Sequence, residues 1–357
     1  MRILTDQHHH ALAESLLMLF EDRGDHEVYF PEGMDWFDEG YWNFEREWYG
    51  DAVALQYLEG IWQGSTVGPL YAVLRQDPRH PWRVQKGISL DAARDMDWDV
   101  VLSSLPHNDE GMHRFAQEAG AVFGVQVGNH IQQSRWDLAS FILSSSTLPG
   151  FGPEYIGQRF TFAGTPTVMY HQEFDLDIFR HEWPPAGPRT VASFVNCFAE
   201  MQEPYAQFAA LSRRHPDFDW KCYGSYGSAP VDELAAGDIS SVPDVADAMR
   251  ASRIIWHAKA WSDGFGHVIH NAFAVGRPVV GYRRYYKDKI AGPLMVEGET
   301  FFDMERPEAE VIDILTRLRD DDDFHRTISI NAAARFREVV DFDGEAETIM
   351  AMLEDVL

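Results

Sequence analysis

The sequence predicts two α/β domains in tandem, each built on a parallel sheet with helices on both faces. Short apolar, strand-like stretches alternate with segments whose apolar residues recur at helical spacing. Residues 183–189 (WPPAGPR) interrupt this series with three prolines and a glycine, and a second series begins directly after them. The 357 residues suffice for two domains that each bury a core. We therefore expect Rossmann-like domains at 1–182 and 190–342, a linker at 183–189, and a C-terminal helix at 343–357 that packs back.

The first series opens with a strand at 1–5 (MRILT), a helix at 11–21 and a strand at 26–30 (HEVYF). It resumes with the strand WDVVLSSLP, a helix near 109–119 and the strand AVFGVQVGN, followed by the strand-like RFTF and TVMYHQ. Between these two parts, residues 34–62 are dense in aromatic side chains. The opening order of strand, helix and strand is typical of an α/β domain.

The second series begins with the strand TVASFVNCF, a helix at 201–214 and the strand FDWKCYGS. It continues with the helix DVADAMRAS, the strand RIIWHA, a helix at 266–275 and the strand PVVGY. Strands that alternate with helices in this way indicate a parallel sheet.

Composition indicates a globular protein without a membrane span. Hydrophobic residues make up 45% of the chain and charged residues 24%, and no apolar run is long enough to cross a bilayer. The first residues lack the apolar core of a signal peptide, and Cys197 and Cys222 cannot form a disulfide framework, so we expect a cytoplasmic protein. The net charge of -27 disfavours nucleic-acid binding through the overall field and leaves only a local basic cleft for such contact.

The stretch 262–282 (SDGFGHVIHNAFAVGRPVVGY) carries the strongest candidate site. Ligands of open parallel sheets bind beyond the carboxyl ends of the strands, and the strand RIIWHA ends just before this stretch. Glycines let the backbone approach a ligand closely, and the N-terminus of the following helix attracts an anion. Lysine adds a full positive charge. The expected diphosphate site consists of His257, Lys259, Asp263, Gly264, Phe265 and Gly266.

The helix after the glycines has two different faces. His267 and Asn271 lie four residues apart and are expected to face the ligand together with Asp263. The core side is expected to be formed by Val268, Ala272 and Val275.

The alternative to a ligand site is a plain corner between a strand and a helix. Its glycines then only turn the chain, and Asp263 only caps the helix. Gly276 and Pro278 end the helix under either interpretation.

Residues 263–282 resemble the donor-binding motif of GT-B glycosyltransferases, in particular the group with an E-x7-E signature. That motif reads roughly E-G-F-G-x-x-x-x-E-A-x-A-x-G-x-P-V-V, and the glycines, the helix, Gly276 and Pro278 fall in register with it. The two acidic positions are Asp263, one methylene shorter, and the uncharged Asn271. In the family, the first acidic residue contacts the donor sugar and the second usually contacts the ribose.

The resemblance implies two Rossmann-like domains of the GT-B fold with a cleft between them. It implies transfer of a sugar from a nucleoside diphosphate sugar, such as a UDP-sugar or a GDP-sugar, to a hydroxyl acceptor. The second domain would hold the donor and the first the acceptor, with no metal or other cofactor, and anomeric configuration would be retained. Asp263 and Lys259 would be catalytic.

A further similarity concerns the opening MRILTDQHHH and the aromatic stretch after Met34, which are similar to glycosyltransferases encoded by phages of actinobacteria. It implies the cytoplasm of an infected host. The acceptor would then be a hydroxymethylated pyrimidine in DNA, a phage structural protein or a small molecule.

Four residues at the end of the first strand are candidates in the first domain. His8 is a candidate general base, because the pKa of histidine lies near working pH. Asp6, His9 and His10 are candidate acceptor contacts. A zinc site is disfavoured, because adjacent histidines cannot all face one metal and no partner stands at ligand spacing. Ordinary surface histidines are the alternative.

Other candidates also follow strands. His130, where the family often has a histidine near the donor sugar, is a catalytic candidate, and Asn129 is an acceptor contact. Tyr223, Gly224 and Asn196 are candidate contacts to the nucleotide. Ordinary turns are the alternative at each place.

Aromatic and basic clusters complete the candidates. Trp36 and Trp42 are expected to stack on an acceptor sugar or base, although a buried cap on the sheet is the more common use of such density. The basic stretches 283–289 (RRYYKDK) and 213–215 (RRH) either touch phosphates or are solvated loops.

Two enzyme classes are disfavoured by their missing motifs. A dinucleotide-dependent dehydrogenase needs G-x-G-x-x-G after the first strand, where this chain has DQHHH. A serine hydrolase needs G-x-S-x-G, where residues 224–228 read GSYGS. A protein that binds a nucleotide sugar without catalysis stays open as the second hypothesis.

Overall fold

The computed structural model describes most of the chain: residues 1–6, 10–31, 36, 86–104, 108–128, 135–196, 198–224, 226, 229–237, 239, 241–259 and 263–357. Six of the candidate side chains lie outside the described residues: those of His8, His9, His10, Trp42, Asn129 and His130. Only the backbone of His10 is described.

The chain divides into two compact units. The first unit comprises Met1–Phe174 together with Asp341–Leu357, and the second unit comprises Asp175–Val340. Each unit has its own sheet and its own buried apolar core.

The first unit contains an eight-stranded sheet. Its strands are β1 (Arg2–Thr5), β2 (Glu27–Pro31), β3 (Lys86–Ile88), β4 (Val100–Ser103), β5 (Val122–Val127), β6 (Phe141–Ser144), β7 (Arg159–Phe162) and β8 (Thr165–Met169). Their order is β3-β2-β1-β4-β5-β6-β8-β7. All neighbouring strands pair parallel except β7 and β8, which pair antiparallel.

Helices of the first unit lie between these strands. They are α1 (His10–Leu17), continued by a π-helical turn at Met18–Asp22, α2 (Leu90–Arg94) and α3 (Asp109–Ala119). In β4, Val100 and Leu102 pack on the face that also carries α1, whereas Val101 packs on the opposite face with Phe115 of α3. Successive side chains of a strand point to opposite faces. A strand that is covered on both faces therefore needs apolar residues at consecutive positions, without alternation.

The second unit contains a six-stranded sheet in which all neighbouring strands are parallel. Its strands are β9 (Thr190–Ser193), β10 (Asp219–Tyr223), β11 (Ala235–Gly237), β12 (Ile254–His257), β13 (Val279–Gly281) and β14 (Phe301–Asp303). Their order is β11-β10-β9-β12-β13-β14. Its helices are α4 (Gln202–Arg214), α5 (Val242–Ala251), α6 (His267–Ala274), α7 (Glu308–Asp320) and α8 (Asp322–Val339).

Aromatic packing fills one face of the second sheet. The rings of Trp220 in β10 and Trp256 in β12 lie 5.9 Å apart, and Phe208 of α4 lies 5.1 Å from Trp220. Leu315 of α7 and Ile328 of α8 complete this core. The predicted fold class, two α/β domains with parallel sheets, is thereby confirmed.

The C-terminal helix α9 (Phe342–Val356) packs on the first unit. Ile349 and Met352 join the core that contains α1. Glu345 accepts hydrogen bonds from the backbone N–H of His171 and from its Nδ1, both at 2.6 Å. The helix therefore covers the first sheet although the chain has already passed through the second unit.

The proline-rich stretch 183–189, predicted as a linker, lies inside the second unit. The backbone N–H of Gly187 donates to the Ala251 carbonyl at 2.7 Å, and the indole N–H of Trp183 donates to Nδ1 of His325 at 3.1 Å. These bonds attach the stretch to the unit that follows it. The units divide instead between residues 174 and 175 and between residues 340 and 341.

His325 makes the second unit sensitive to acid. The side chain is fully buried, Trp183 donates to its Nδ1, and its Nε2 donates to the Arg253 carbonyl at 2.9 Å. Burial lowers the pKa of His325 to about 4 from 6.5, so the folded protein binds fewer protons than the unfolded chain between these pH values. The stabilisation is present above pH 6.5 and is lost as the pH falls toward 4.

We predict that His325 contributes about 3 kcal/mol of pH-dependent stability across this window. Urea unfolding at pH 7 and pH 5 should give a smaller loss of stability for His325→Gln than for the wild type, because glutamine does not titrate. Equal losses in both proteins would contradict the assignment.

Candidate functional site

The strand order of the second unit creates one place where neighbouring loops diverge. β9 and β12 are neighbours, but the chain leaves β9 toward β10 on one side and leaves β12 toward β13 on the other. In sheets of this kind, ligands bind beyond the carboxyl ends of the strands at such a switch point. The loop after β12 starts at this point.

A left-handed glycine joins this loop to α6. Gly266 has φ 86° and immediately precedes the helix. A side chain at this φ costs roughly 1–2 kcal/mol, which glycine avoids. The N-terminus of a helix is the positive end of its dipole, so α6 directs partial positive charge toward the switch point.

Asp263 is the centre of a polar cluster in this loop. Its Oδ2 lies 3.2 Å from Nε2 of His257 and accepts a hydrogen bond from the Tyr286 hydroxyl at 2.9 Å. His257 Nε2 and the Tyr286 hydroxyl are themselves 2.9 Å apart. Lys259 Nζ donates to the other oxygen, Oδ1. The cluster thus joins the end of β12, the glycine loop and the segment after β13.

These contacts determine the charge of the cluster. Burial by itself would raise the pKa of Asp263, but the hydrogen bond from His257 and the Lys259 ammonium outweigh it and hold that pKa well below its ordinary value. Burial and the Asp263 charge raise the pKa of Tyr286. Asp263 is therefore a carboxylate and Tyr286 a neutral phenol at physiological pH.

The interpretation of Asp263 as a helix cap does not fit this geometry. The hydrogen bonds of its carboxylate, in the part of the chain that the structure describes, come from side chains and not from the backbone of α6. The N-cap of α6 is Gly266, which has no side chain to serve as one.

The two faces of α6 differ in their exposure. His267 and Asn271 are partly exposed, and Ala272 and Val275 are fully buried. Val268, expected in the core, is partly exposed, because the buried face is centred on residues 269 and 273 instead.

Phe265 supports the glycine loop from inside. Its ring is buried and stacks on His270, with centroids 3.9 Å apart and planes 11° apart. His270 is also buried, and its Nδ1 lies 3.0 Å from the Gly266 carbonyl. Phe265 therefore contributes to the candidate donor site through the shape of the loop, with its ring enclosed by protein.

The loops after β9 and β10 lie against each other on the other side of the switch point. The ring of Phe194 stacks on Tyr223, with centroids 4.9 Å apart and planes 16° apart. A Cβ on Gly224, whose φ is 108°, would come within 2.7 Å of Asn196 Oδ1. The predicted residues Asn196, Tyr223 and Gly224 are therefore close together, at the same sheet edge as His257.

The basic stretches occupy two different edges of the second sheet. Residues 213–215 end α4 and precede the start of β10, so they lie at the opposite edge from the candidate loop. Residues 283–289 follow β13 at the same edge as that loop. There, Arg284 pairs with Glu305 and lies over the rings of Tyr282 and Tyr285, at 4.9 and 4.7 Å.

Asp6 lies beyond the carboxyl end of β1 but is almost fully buried. Its Oδ1 accepts from the backbone N–H of Ser104 at 2.6 Å, and its Oδ2 lies 3.1 Å from Asn108 Nδ2 and 3.3 Å from Ser103 Oγ. Burial raises the pKa of Asp6 to about 7. The side chain links the segments that follow β1 and β4, and does not present its carboxyl group to solvent.

Trp36 is a core residue of the first unit. It is buried, its indole N–H donates to the Ile88 carbonyl at 2.9 Å, and its ring packs edge-on against Phe115 at 5.0 Å. The ring expected to stack on an acceptor is therefore buried in the protein, and its indole N–H already has a partner.

Three residues of the site are not named individually as candidates from the sequence: Tyr286, His270 and Phe194. Phe194 and Tyr286 each follow a strand of the second sheet, at the edge where ligands of such sheets bind. This position in the sequence is a signal that could have identified them as candidates. His270 lies within the motif, but the helical spacing that selects His267 and Asn271 does not select it.

Within the described part of the chain, no cluster of three or more histidine, cysteine, aspartate or glutamate side chains is arranged to hold a metal ion. None of the helices described combines the length and the apolar character needed to cross a membrane.

No protein-family model matches the chain, and no curated protein sequence matches it. Solved structures of glycosyltransferases do match it over nearly its whole length. HepE from Anabaena, in complex with UDP and glucose, has 14% identity and a TM-score of 0.62, with 99% of each chain covered. Sucrose-phosphate synthase from Thermosynechococcus elongatus has 13% identity and a TM-score of 0.62, with 99% of this chain and 98% of that chain covered.

A glycosyltransferase from Rickettsia africae has 12% identity and a TM-score of 0.60, with 99% and 98% coverage. At such identities, the likeness concerns the fold. The chain has the GT-B fold, two α/β units with parallel sheets, as the sequence predicts.

Proposed function

We propose that the protein is a glycosyltransferase that moves a sugar from a nucleoside diphosphate sugar, in the first instance a UDP-sugar, to a hydroxyl acceptor. The observation that carries the proposal is the meeting of Lys259, Asp263 and the N-terminus of α6 at the switch point of the second sheet. A cation and a helix N-terminus suit a diphosphate, and a carboxylate suits sugar hydroxyls.

The comparisons support the choice of donor. Structures of HepE, which shares the fold, contain UDP, UDP with glucose, or UDP-glucose. The corresponding proposal for this chain is that the loop after β12 binds the diphosphate. Tyr223, Gly224 and Asn196, beyond β9 and β10, would bind the rest of the nucleotide.

The chemistry needs little from the protein beyond binding and charge. The acceptor oxygen forms a bond to the anomeric carbon, and the bond from that carbon to the diphosphate oxygen breaks. The electron pair leaves with the diphosphate, where Lys259 and the N-terminus of α6 stabilise the developing charge. With retention of configuration, the leaving diphosphate oxygen takes the acceptor proton. With inversion, a base such as His8 or His130 takes it.

The proposed function is tested by incubating the protein with a panel of UDP- and GDP-sugars and measuring release of nucleoside diphosphate. Acceptor arms should include hydroxymethylated DNA, a protein and small sugars, with products identified by mass spectrometry. A glycosyltransferase releases nucleoside diphosphate and adds a sugar mass to one acceptor. Saturable binding without release would favour a nucleotide-sugar-binding protein instead.

We predict that activity survives chelation by EDTA, because Lys259 and the helix N-terminus supply the positive charge that a metal ion provides in other transferases. Initial rates with and without EDTA should agree. A complete loss that manganese restores would contradict metal-independent catalysis.

Lys259→Ala should lower turnover about 100-fold, the usual effect of removing one electrostatic stabiliser of a leaving group. The matched control is Lys221→Ala, which removes a partly exposed lysine of the same unit that pairs with Asp219. Initial rates compare the activity of the two variants, and circular dichroism checks that both are folded. An unchanged rate in a folded Lys259→Ala protein would remove this lysine from the site.

Asp263→Asn should lower transfer at least about tenfold. A hydrogen bond to a charged group contributes about 1.5–3 kcal/mol, and 1.4 kcal/mol corresponds to a factor of ten. Asp288→Asn, at an exposed position of the same unit, is the control for a loss of charge. Equal initial rates for Asp263→Asn and the wild type, with equal folded fractions, would exclude contact between Asp263 and the sugar.

A further inference from the structure

The two oxygens of Asp263 have different surroundings. Oδ2 faces the interior, where it contacts the Tyr286 hydroxyl and His257 Nε2. Oδ1 contacts Lys259 Nζ. The side chains of Lys259 and Asp263 are each 19% exposed, whereas the His257 side chain is 1% exposed. The Lys259 side of the carboxylate therefore has the more exposed protein partner, and the side held by Tyr286 and His257 the more buried ones.

The positions of the hydrogen atoms around Asp263 Oδ2 follow from the chemistry of its two neighbours. Tyr286 is a neutral phenol and donates its hydrogen to Asp263 Oδ2. His257 Nε2 then faces two oxygen atoms, at 3.2 and 2.9 Å, and both accept if Nε2 carries a hydrogen. Its Nδ1 is buried and has no hydrogen-bond partner in the described part of the chain. An unmet lone pair there costs less than an unmet N–H, so the tautomer with hydrogen on Nε2 is favoured.

On the outer side, around Oδ1, the Lys259 ammonium can have two successive partners. In the structure, its ammonium is paired with Asp263 Oδ1. A diphosphate carries more charge than a carboxylate and also receives the N-terminus of α6, so it can draw the ammonium away. This movement would leave Oδ1 with free acceptor capacity next to the diphosphate, where the donor sugar is attached.

We propose that Tyr286 is a positioning residue that, with His257, holds Asp263 Oδ2 in place while Asp263 Oδ1 exchanges the Lys259 ammonium for a hydroxyl of the donor sugar. The inference rests on the proposed function. It assigns one oxygen of Asp263 to the protein and the other to the ligand. It also explains how a carboxylate that already has protein partners can bind a sugar.

The first test is Tyr286→Phe, which keeps the ring and removes the hydroxyl. Loss of one hydrogen bond to a charged group should lower kcat about tenfold, while the Kd for UDP measured by calorimetry stays within about twofold. Tyr155→Phe, which removes a tyrosine hydroxyl in the first unit, should change neither value. An unchanged kcat for Tyr286→Phe would overturn the positioning role.

A double-mutant cycle separates positioning from a general structural effect. In the Asp263→Asn background, Tyr286→Phe should cause no further loss of kcat, because the carboxylate on which Tyr286 acts is absent. Multiplicative losses in the double variant would mean that Tyr286 acts on something other than Asp263.

The exchange of partners by Lys259 has its own test. Asparagine has no charge with which to compete for the ammonium, so Asp263→Asn should bind UDP several-fold more tightly than the wild type even though it transfers more slowly. Equal or weaker UDP binding by a folded Asp263→Asn protein would overturn the exchange.

Two patterns of failure are distinguishable. If the wild type turns over a donor but these variants do not behave as stated, the inference fails and the proposed function stands. If the wild type neither binds UDP or GDP nor turns over any donor, both fail together.

Discussion

The carboxylate of Asp263 joins three separate segments of the second unit. Its donors come from the end of β12, from the glycine loop and from the segment after β13, and its own position is limited by the left-handed Gly266 three residues later. A carboxylate with 19% exposure is stable only because these donors offset its desolvation. The loop, the N-terminus of α6 and the ammonium of Lys259 are therefore fixed relative to one another by a single charged group.

Charge also limits how a nucleotide can be bound. The protein carries a net charge of -27, so its overall field repels a diphosphate. Salt screens this repulsion beyond about 8 Å at physiological ionic strength, and binding must then depend on short-range contacts. In the proposed site, Lys259 and the first turn of α6 would supply such contacts. A DNA acceptor would meet the same repulsion over a larger surface, and would need its own local cationic contacts.

The sequence predicts the architecture well because the signals for it are local. The alternation of strands and helices, the glycines and the switch to helical spacing after Gly266 all lie within short windows, and β12, α6 and β13 occur where they were predicted. Lys259 and Asp263 are candidates because they flank these signals. Tyr286 was missed because it reaches Asp263 from 23 residues away, through the pairing of β12 with β13, and no local pattern reports such a contact. The exposure of Val268 and the burial of Trp36 are also not predictable from local patterns, because burial depends on which distant segments pack against a residue.

The central claim is that the loop after β12 binds the diphosphate of a nucleotide. The most direct measurement is a crystal structure of the protein soaked with UDP. The account predicts the diphosphate at the N-terminus of α6, with Lys259 Nζ moved from Asp263 Oδ1 to a phosphate oxygen and the Tyr286 hydroxyl still on Oδ2. UDP bound elsewhere would contradict the central claim, and UDP bound here with Lys259 still paired to Asp263 would contradict the exchange of partners.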